Sequence, residues 1–263
     1  MSDTDRTALE IKDGLAHLRL IRVGQRNGID LGMVESLAEH VLEVENNEDV
    51  RALLISADGP AFTVGGDLKY LGGELDRLPA ELNTMISKFH RTLATLAGLR
   101  VPVVTAAHGA VAGGGLGLLY NSDFAFLADN VRIATGFVHL ALSGDGGGTW
   151  HLPRLVGLRR AQELTLGGRV LTAAEACDWG LATRVVPLDE LESTAYAQAT
   201  ALASGPTFAF GRMKRLLLES STNTYLEQLE AERRAIVECS RVGDAREGIS
   251  AFTERRSPHF DGR

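Results

Sequence analysis

One uncharged stretch decides the fold of this chain: residues 101–122 have the sequence VPVVTAAHGAVAGGGLGLLYNS. The stretch contains no Asp, Glu, Lys or Arg. It begins as an apolar strand at Val101, breaks at the glycines 113–115, and continues as an apolar helix from Leu116. A buried strand–turn–helix leaves free N–H groups at the start of its helix, and these bind anions or developing oxyanions. Taken alone, such glycines more often serve close packing than ligand binding.

Composition and charge narrow the class of protein. The 263 residues include 27 Lys and Arg against 34 Asp and Glu, which gives a net charge of -7. An acidic chain of this kind is a poor match for nucleic acid. Residues 101–122 approach the length of a membrane span, but Pro102, His108 and the glycines indicate a buried core segment. We therefore expect no nucleic-acid partner and no membrane partner.

The start of the chain and its cysteines indicate the cellular setting. Residues 1–6, MSDTDR, lack the apolar core of a signal peptide. Cys177 and Cys239 form neither a disulfide framework nor a metal-binding spacing. We therefore expect a reducing, cytoplasmic setting and no metal site.

The apolar pattern along the chain predicts alternating strands and helices. A hairpin around Asp13-Gly14 precedes a helix near 33–41, a strand at 52–55 and a helix at about 79–98. Strands that alternate with helices indicate an α/β core. From Thr172 onward the pattern favours helices, at 172–179, 189–203, 206–219, 223–241 and 243–255, with one strand at 182–186. We expect an α/β core over residues 1–200 and a helical region over residues 201–263.

A second glycine loop makes the pattern specific. Residues 61–68, AFTVGGDL, also follow a predicted strand and precede a helix, so two loops can aim two backbone N–H groups at one oxygen. Together with Asn27-Gly28-Ile29 and Trp179-Gly180-Leu181-Ala182, these loops resemble the crotonase superfamily, which contains the enoyl-CoA hydratases and isomerases. The resemblance extends from about residue 9 to the C-terminus.

This resemblance implies a fold and a chemistry. The implied fold is a crotonase-type spiral of ββα units with a C-terminal helical extension that forms homotrimers, commonly paired into homohexamers. The implied substrate is an acyl-CoA, whose thioester oxygen accepts hydrogen bonds from the N–H groups of Gly66 and Gly114. Two preorganised donors stabilise the enolate that forms when a proton is removed beside the thioester. Coenzyme A then enters as part of the substrate, and no further cofactor is expected.

The proton-transferring residue is the next question. In hydratases of this superfamily two glutamates activate water, and the matching positions here are Gly117 and Phe137, so water addition is not expected. The remaining acid is Asp145, in SGDGGGTW at residues 143–150. Aspartate is also favoured as the N-cap of a helix starting near Gly148. We favour catalysis, because isomerase-like members often have an aspartate here and burial raises a carboxyl pKa toward a useful range.

Two groups of relatives compete within the superfamily. Four C-terminal segments resemble the ring-epoxide isomerases of phenylacetyl-CoA degradation: PTF at 206–208, TNT at 222–224, REGISAF at 246–252 and RSPHF at 256–260. The loop at 111–117 with His90 and Asp145 resembles 4-chlorobenzoyl-CoA dehalogenase, where the aspartate attacks an aromatic ring and a histidine activates water. That dehalogenase pattern has tryptophan at the position of Phe137, which favours the isomerase.

Two further interpretations stay open at this point. His90 is equally explained as a half-buried histidine without a task on an amphipathic helix. The whole chain is also compatible with a catalytically idle subunit that binds CoA and serves assembly, although the two glycine loops and Asp145 argue against it.

The resemblance also assigns contacts with coenzyme A and the acyl group to Arg26, Val64, Asp67, Leu68, Phe137, Phe252 and Arg255. Arg26 is expected to meet a CoA phosphate, while the loop at 64–68 lines the adenine. Phe252 and Arg255 match C-terminal CoA contacts that the neighbouring subunit often supplies. Arg26 and Arg255 are equally explained as solvated surface cations.

Overall fold

The computed structural model describes residues 6–73 and 75–262, and its core is a six-stranded sheet. The strands in chain order are β1 (Thr7–Lys12), β2 (Leu15–Leu20), β3 (Ala52–Ala57), β4 (Val103–Ala107), β5 (Ala110–Ala112), β6 (Phe124–Ala128), β7 (Arg132–Ala134), β8 (Val170–Thr172) and β9 (Arg184–Val186). The order in the large sheet is β1-β2-β3-β4-β6-β9, in which β1 runs antiparallel to β2 and the following pairs are parallel. Strands β5, β7 and β8 form a second, three-stranded sheet.

Helices surround the sheets and make up the C-terminal part of the described chain. They are α1 (Leu31–Asn46), α2 (Leu68–Leu71), α3 (Leu78–Gly98), α4 (Leu116–Tyr120), α5 (Gly148–Leu155), α6 (Leu158–Thr165), α7 (Ala173–Asp178), α8 (Leu191–Ala203), α9 (Thr207–Glu219), α10 (Tyr225–Cys239) and α11 (Gly243–Glu254). Within the described residues, none of these helices is long and apolar enough to cross a membrane.

The central strands are buried because helices and neighbouring strands cover them. Each residue of β4 is buried, as are the first four residues of β3, so both strands are almost continuously apolar, as in parallel sheets covered on both faces. Helix α8 packs against β3 and β4, while α1 and α3 pack against each other. Helix α8 ends at Ala203, so it continues past the expected boundary at residue 200.

Most of the predicted elements are confirmed, and one difference matters for the site. The uncharged stretch does not pass from strand to glycine turn in one step, because β5 in the second sheet intervenes between β4 and the glycines. Gly109 makes the necessary bend with a φ of +61°, and a Cβ at this position would lie 2.2 Å from the Pro60 carbonyl oxygen. The chain therefore changes sheet just before the glycine turn, which places this turn beside the first glycine loop.

Candidate active site

The two glycine loops lie side by side. Thr63 and Val111 form a parallel bridge, in which the Thr63 N–H donates to the Ala110 oxygen at 3.0 Å and the Ala112 N–H donates to the Thr63 oxygen at 3.0 Å. One residue further, a Cβ on Gly65 would lie 2.8 Å from the Ala112 oxygen and 3.2 Å from a Gly113 carbon. Only glycine permits this approach, so the loops meet at their glycines.

Gly66 and Gly114 directly follow the glycines at which the two loops meet. Their N–H groups point away from the contact between the loops. Ile29 donates to the Gly65 oxygen at 2.8 Å and accepts from the Asp67 N–H at 2.9 Å, so the Gly66 N–H points away from Ile29 in this parallel bridge. Gly114 lies in the 3-10 turn Gly113–Gly115, whose first N–H groups have no carbonyl partner within the turn. Neither N–H group donates to a backbone oxygen of the described loops, so both can donate to a ligand at the loop junction.

A cavity of about 450 Å³ opens beside both glycines. Its apolar wall comes from the first glycine loop, from α1 and the residue Ile29 before it, from α2 and α3, and from the 3-10 turn Phe137–Leu140 and the segment after it. The apolar side chains are those of Ile29, Val34, Val64, Leu68, Leu71, Leu82, Met85, Ile86, Phe89, Phe137, Leu140 and Leu142. Its polar side chains are those of His90, Thr135, His139, Ser143 and Asp145. Among the described residues that line the cavity, Asp145 supplies the carboxylate.

Asp145 lies directly against the Gly114 turn. A Cβ built on Gly114 would lie 2.5 Å from Asp145 Oδ1 and 3.2 Å from Oδ2, so the carboxylate occupies the space that any larger residue at 114 would need. The next residue, Gly146, has a φ of +62°, and a Cβ there would lie 2.6 Å from the Gly114 oxygen. The segment after Asp145 therefore closes tightly on the turn that carries the Gly114 N–H.

The surroundings of Asp145 favour chemistry over helix capping. Helix α5 begins at Gly148, as predicted, but its N-cap is Gly147, and no side chain caps it. Asp145 Oδ1 is buried and has no hydrogen-bond partner in the described part of the chain. Burial raises the pKa of the Asp145 carboxyl above its ordinary value, and His90 opposes this rise only when its ring is protonated. A partly desolvated carboxylate beside the Gly114 turn is suited to moving a proton.

His90 lies on α3 and contacts the segment that holds Asp145. The Gly146 N–H donates a hydrogen bond to His90 Nε2 at 3.2 Å. Because a backbone N–H only donates, Nε2 carries the lone pair, and the neutral ring has its proton on Nδ1. His90 therefore shares the cavity with Asp145, as the sequence indicates, but its basic nitrogen is already engaged.

The two positions that match the hydratase glutamates are closed or apolar. A Cβ on Gly117 would lie 2.6 Å from Leu93 Cδ1 and 2.8 Å from the Gly146 oxygen, so there is no space for a side chain. Phe137 lines the cavity with its apolar ring. Neither position can supply an acid to activate water.

Comparison with known proteins identifies the family. Residues 10–263 match the model of the enoyl-CoA hydratase/isomerase family. The chain belongs to this family. Its fold is the crotonase fold, and the resemblance inferred from the glycine loops is confirmed.

Relatives within the enoyl-CoA hydratase/isomerase family carry several activities. A 1,2-epoxyphenylacetyl-CoA isomerase from Escherichia coli (strain K12) is 35% identical over 254 residues, which cover 96% of this chain and 97% of the relative. A 4-chlorobenzoyl coenzyme A dehalogenase from Arthrobacter sp is 28% identical over 231 residues, covering 88% of this chain and 84% of the relative. The crystal structure of an enoyl-CoA hydratase from Bacillus anthracis matches with a TM-score of 0.93 at 28% identity, covering 98% of this chain and 100% of the other. The chain is therefore an acyl-CoA enzyme of this family.

The residues expected to bind coenzyme A fall into two groups. Val64 and Leu68 line the cavity, and Arg26 is exposed next to them, since its carbonyl oxygen accepts the Val64 N–H at 3.3 Å. Phe252 and Arg255 lie at the end of α11, outside the lining of this cavity, and Phe252 is 86% exposed. Within one chain, Arg26, Val64 and Leu68 therefore lie at the cavity. Phe252 and Arg255 lie away from it.

Asp67 has a structural role that the sequence did not indicate. Its carboxylate accepts from the N–H groups of Lys69 and Tyr70 at the start of α2, and it pairs with Arg22 at 2.6 Å. Arg22 also contacts Asp30 at 3.1 Å and donates to the Gly28 oxygen at 2.8 Å. The half-buried Arg22 guanidinium therefore ties the segment before α1 to the loop that carries Gly66. Arg22 and Asp67 lie far apart in the sequence, so this link is visible in the structure and not in the sequence.

Proposed function

We propose that the protein isomerises an acyl-CoA, by moving a double bond or rearranging a ring, through a thioester enolate. Asp145 acts as both base and acid in this proposal. The N–H groups of Gly66 and Gly114 hold the thioester oxygen. No cofactor is required other than the coenzyme A that the substrate carries.

The proposed reaction with a 3-enoyl-CoA needs one carboxylate. Asp145 removes a proton from the carbon next to the thioester, and the electron pair moves onto the carbonyl oxygen held by the two N–H groups. The double bond shifts by one carbon as the enolate collapses, and Asp145 returns the proton two bonds further along the chain. The N–H groups stabilise the enolate, with each donor contributing on the order of 3 kcal/mol.

The observation that carries this proposal is the position of Asp145. Its buried carboxylate, without a hydrogen-bond partner for Oδ1 among the described residues, lies against the turn that presents the Gly114 N–H. The closed position 117 and the ring of Phe137 support isomerisation over hydration, because neither position supplies a second carboxylate.

The contacts with the CoA moiety form part of the same proposal. Arg26 meets a phosphate beside the Val64–Leu68 loop, while Phe252 and Arg255 meet the CoA bound in a neighbouring subunit. This arrangement requires a homotrimer or homohexamer. The exposed position of Phe252, away from the cavity of its own chain, supports the assignment.

Hydrolytic dehalogenation is the second candidate, with Asp145 as nucleophile and His90 as base. It is favoured by the presence of both side chains in one cavity. The hydrogen bond from the Gly146 N–H to His90 Nε2 argues against it, because the nitrogen that would take the proton from water is already an acceptor.

The test is incubation of the protein with 3-enoyl-, 2-enoyl-, aryl- and 4-halobenzoyl-CoA esters, with products separated by liquid chromatography and identified by mass spectrometry. We expect isomers of unchanged mass from the 3-enoyl or aryl esters and little hydration of the 2-enoyl ester. Halide release, with an aroyl adduct on the protein, would favour the dehalogenase instead. CoA binding without turnover of any ester would indicate an idle assembly subunit.

A further inference from the structure

The segment that carries Asp145 is rich in glycine and forms few contacts within itself that would fix its conformation. Gly144, Gly146 and Gly147 flank the aspartate, and the last two have φ angles of +62° and +80°. Glycine has the largest conformational freedom of any residue in the unfolded and loosely held chain. Within the segment, the Gly148 N–H donates to the Asp145 oxygen at 3.2 Å, which closes one short turn. A carboxylate that must meet a reacting carbon needs a firmer anchor than this.

Helix α3, which lines the same cavity, supplies an anchor from outside this segment. This helix has 21 residues and is held by buried side chains, among them Phe89 and Leu93 on either side of His90. The His90 ring extends from this rigid element to accept the Gly146 N–H at 3.2 Å. The bond joins positions 56 residues apart and reaches the residue directly after Asp145.

We propose that His90 is a positioning residue: its unprotonated Nε2 accepts the Gly146 N–H and so holds the Asp145 carboxylate over the Gly114 turn. The inference rests on the proposed role of Asp145 and gives His90 a task other than general base. A protonated imidazole donates from both nitrogens and cannot accept this bond, so the arrangement needs the neutral ring.

The test compares two substitutions in the full-length protein. Glutamine carries a carbonyl oxygen at about the reach of Nε2 and can accept the Gly146 N–H, whereas leucine fills similar space without an acceptor. We expect His90→Leu to lower kcat for a 3-enoyl-CoA by about a hundred-fold, since small displacements of a catalytic group have effects of this size. KM should change little, and His90→Gln should restore kcat to within about ten-fold of the wild type.

Amide hydrogen exchange of the peptide around residues 144–150 gives a readout that does not depend on turnover. We expect faster exchange in His90→Leu than in the wild type and protection close to the wild type in His90→Gln. Arg91→Leu serves as the matched control, because Arg91 is the exposed next residue of the same helix. Its exchange in this peptide should equal that of the wild type.

The possible outcomes separate the alternatives. Equal loss of kcat in His90→Gln and His90→Leu, with unchanged exchange, would show that His90 acts as a base and overturn the proposal. Wild-type kcat in His90→Leu would overturn it as well. If the wild type turns over no ester, the proposed function fails, while the exchange comparison still supports or refutes the anchoring of the loop.

Discussion

The partly buried carboxylate of Asp145 lowers the stability of the folded protein. The proposed reaction explains why such a group is present at this position. Oδ1 is buried and has no hydrogen-bond partner in the described chain, while the residue as a whole is half-buried. Burying a charged group without a partner destabilises a protein, so such a residue persists where it has a task.

This cost predicts a pH-dependent stability. Burial raises the pKa of Asp145 in the folded state above its unfolded value, so between these two values the folded protein binds more protons. The free energy of unfolding therefore falls as pH rises through this window. We expect Asp145→Asn, which cannot ionise, to have a higher Tm than the wild type at pH 7. The difference should shrink as pH approaches about 4, the ordinary value for aspartate.

Thermal unfolding of the wild type and of Asp145→Asn, from pH 7 down to about pH 4, measures this difference in Tm. Asp129→Asn is the control, because Asp129 is exposed and should show no such pH-dependent difference. A wild type more stable than Asp145→Asn at pH 7 would mean that the carboxylate has a favourable partner.

At the scale of elements, α4 packs closely against the Asp145 segment, and a Cβ at Gly117 would lie 2.8 Å from the Gly146 oxygen. We expect Gly117→Glu, which introduces one hydratase-type glutamate, to destabilise the protein by about 1–3 kcal/mol through overpacking. It should not produce hydration of a 2-enoyl-CoA, because the new side chain would have to displace Leu93 and the Gly146 backbone.

The matched control is Gly98→Glu at the end of α3, where a built Cβ has no neighbour within 4 Å. Its free energy of unfolding, measured by denaturant titration, should change by less than about 1 kcal/mol. A stable Gly117→Glu with hydratase activity would show that this contact is loose and that the acids are wrongly placed.

The sequence predicts the long elements because their apolar patterns are complete. The β1–β2 hairpin, α1, β3 and α3 follow from periodicity alone. The short strands β5 and β8 were not predicted, since each has three residues and depends on pairing with β7, which lies elsewhere in the chain. Helix α6 was also missed, because it buries only Ala161 and Leu164.

The residues of the candidate site also divide into those that the sequence predicts and those whose roles depend on the fold. Gly66, Gly114 and Asp145 lie in local motifs whose resemblance to the crotonase superfamily is visible in the sequence. The acceptor role of His90 was not predictable, because its partner is 56 residues away and no local pattern records such a bond. The closed position at Gly117 likewise depends on Leu93 and Gly146, which the fold brings together.

At the scale of the whole molecule, the C-terminal helices leave large apolar side chains exposed. On α10 and α11, Leu226, Ile236, Ile249 and Phe252 are 76%, 70%, 69% and 86% exposed. An exposed apolar surface of this kind is typical of an interaction site. We expect it to be covered by further copies of this chain.

Light scattering coupled to size exclusion tests this expectation, and we predict the mass of a trimer or hexamer. Ile236→Glu should shift the protein toward smaller species, because it places a charge in the contact. Leu42→Glu, at an exposed position on α1, should leave the mass unchanged. A monomeric wild type would contradict the proposed CoA contacts of Phe252 and Arg255.

In the proposed mechanism Asp145 moves the proton. The rate at which Asp145→Asn converts a 3-enoyl-CoA to a 2-enoyl-CoA tests this role directly. We predict a loss of about three powers of ten in kcat, in the range of a lost general base. CoA binding should be retained, because the residues proposed to contact the coenzyme lie elsewhere. Wild-type turnover by Asp145→Asn would contradict the account.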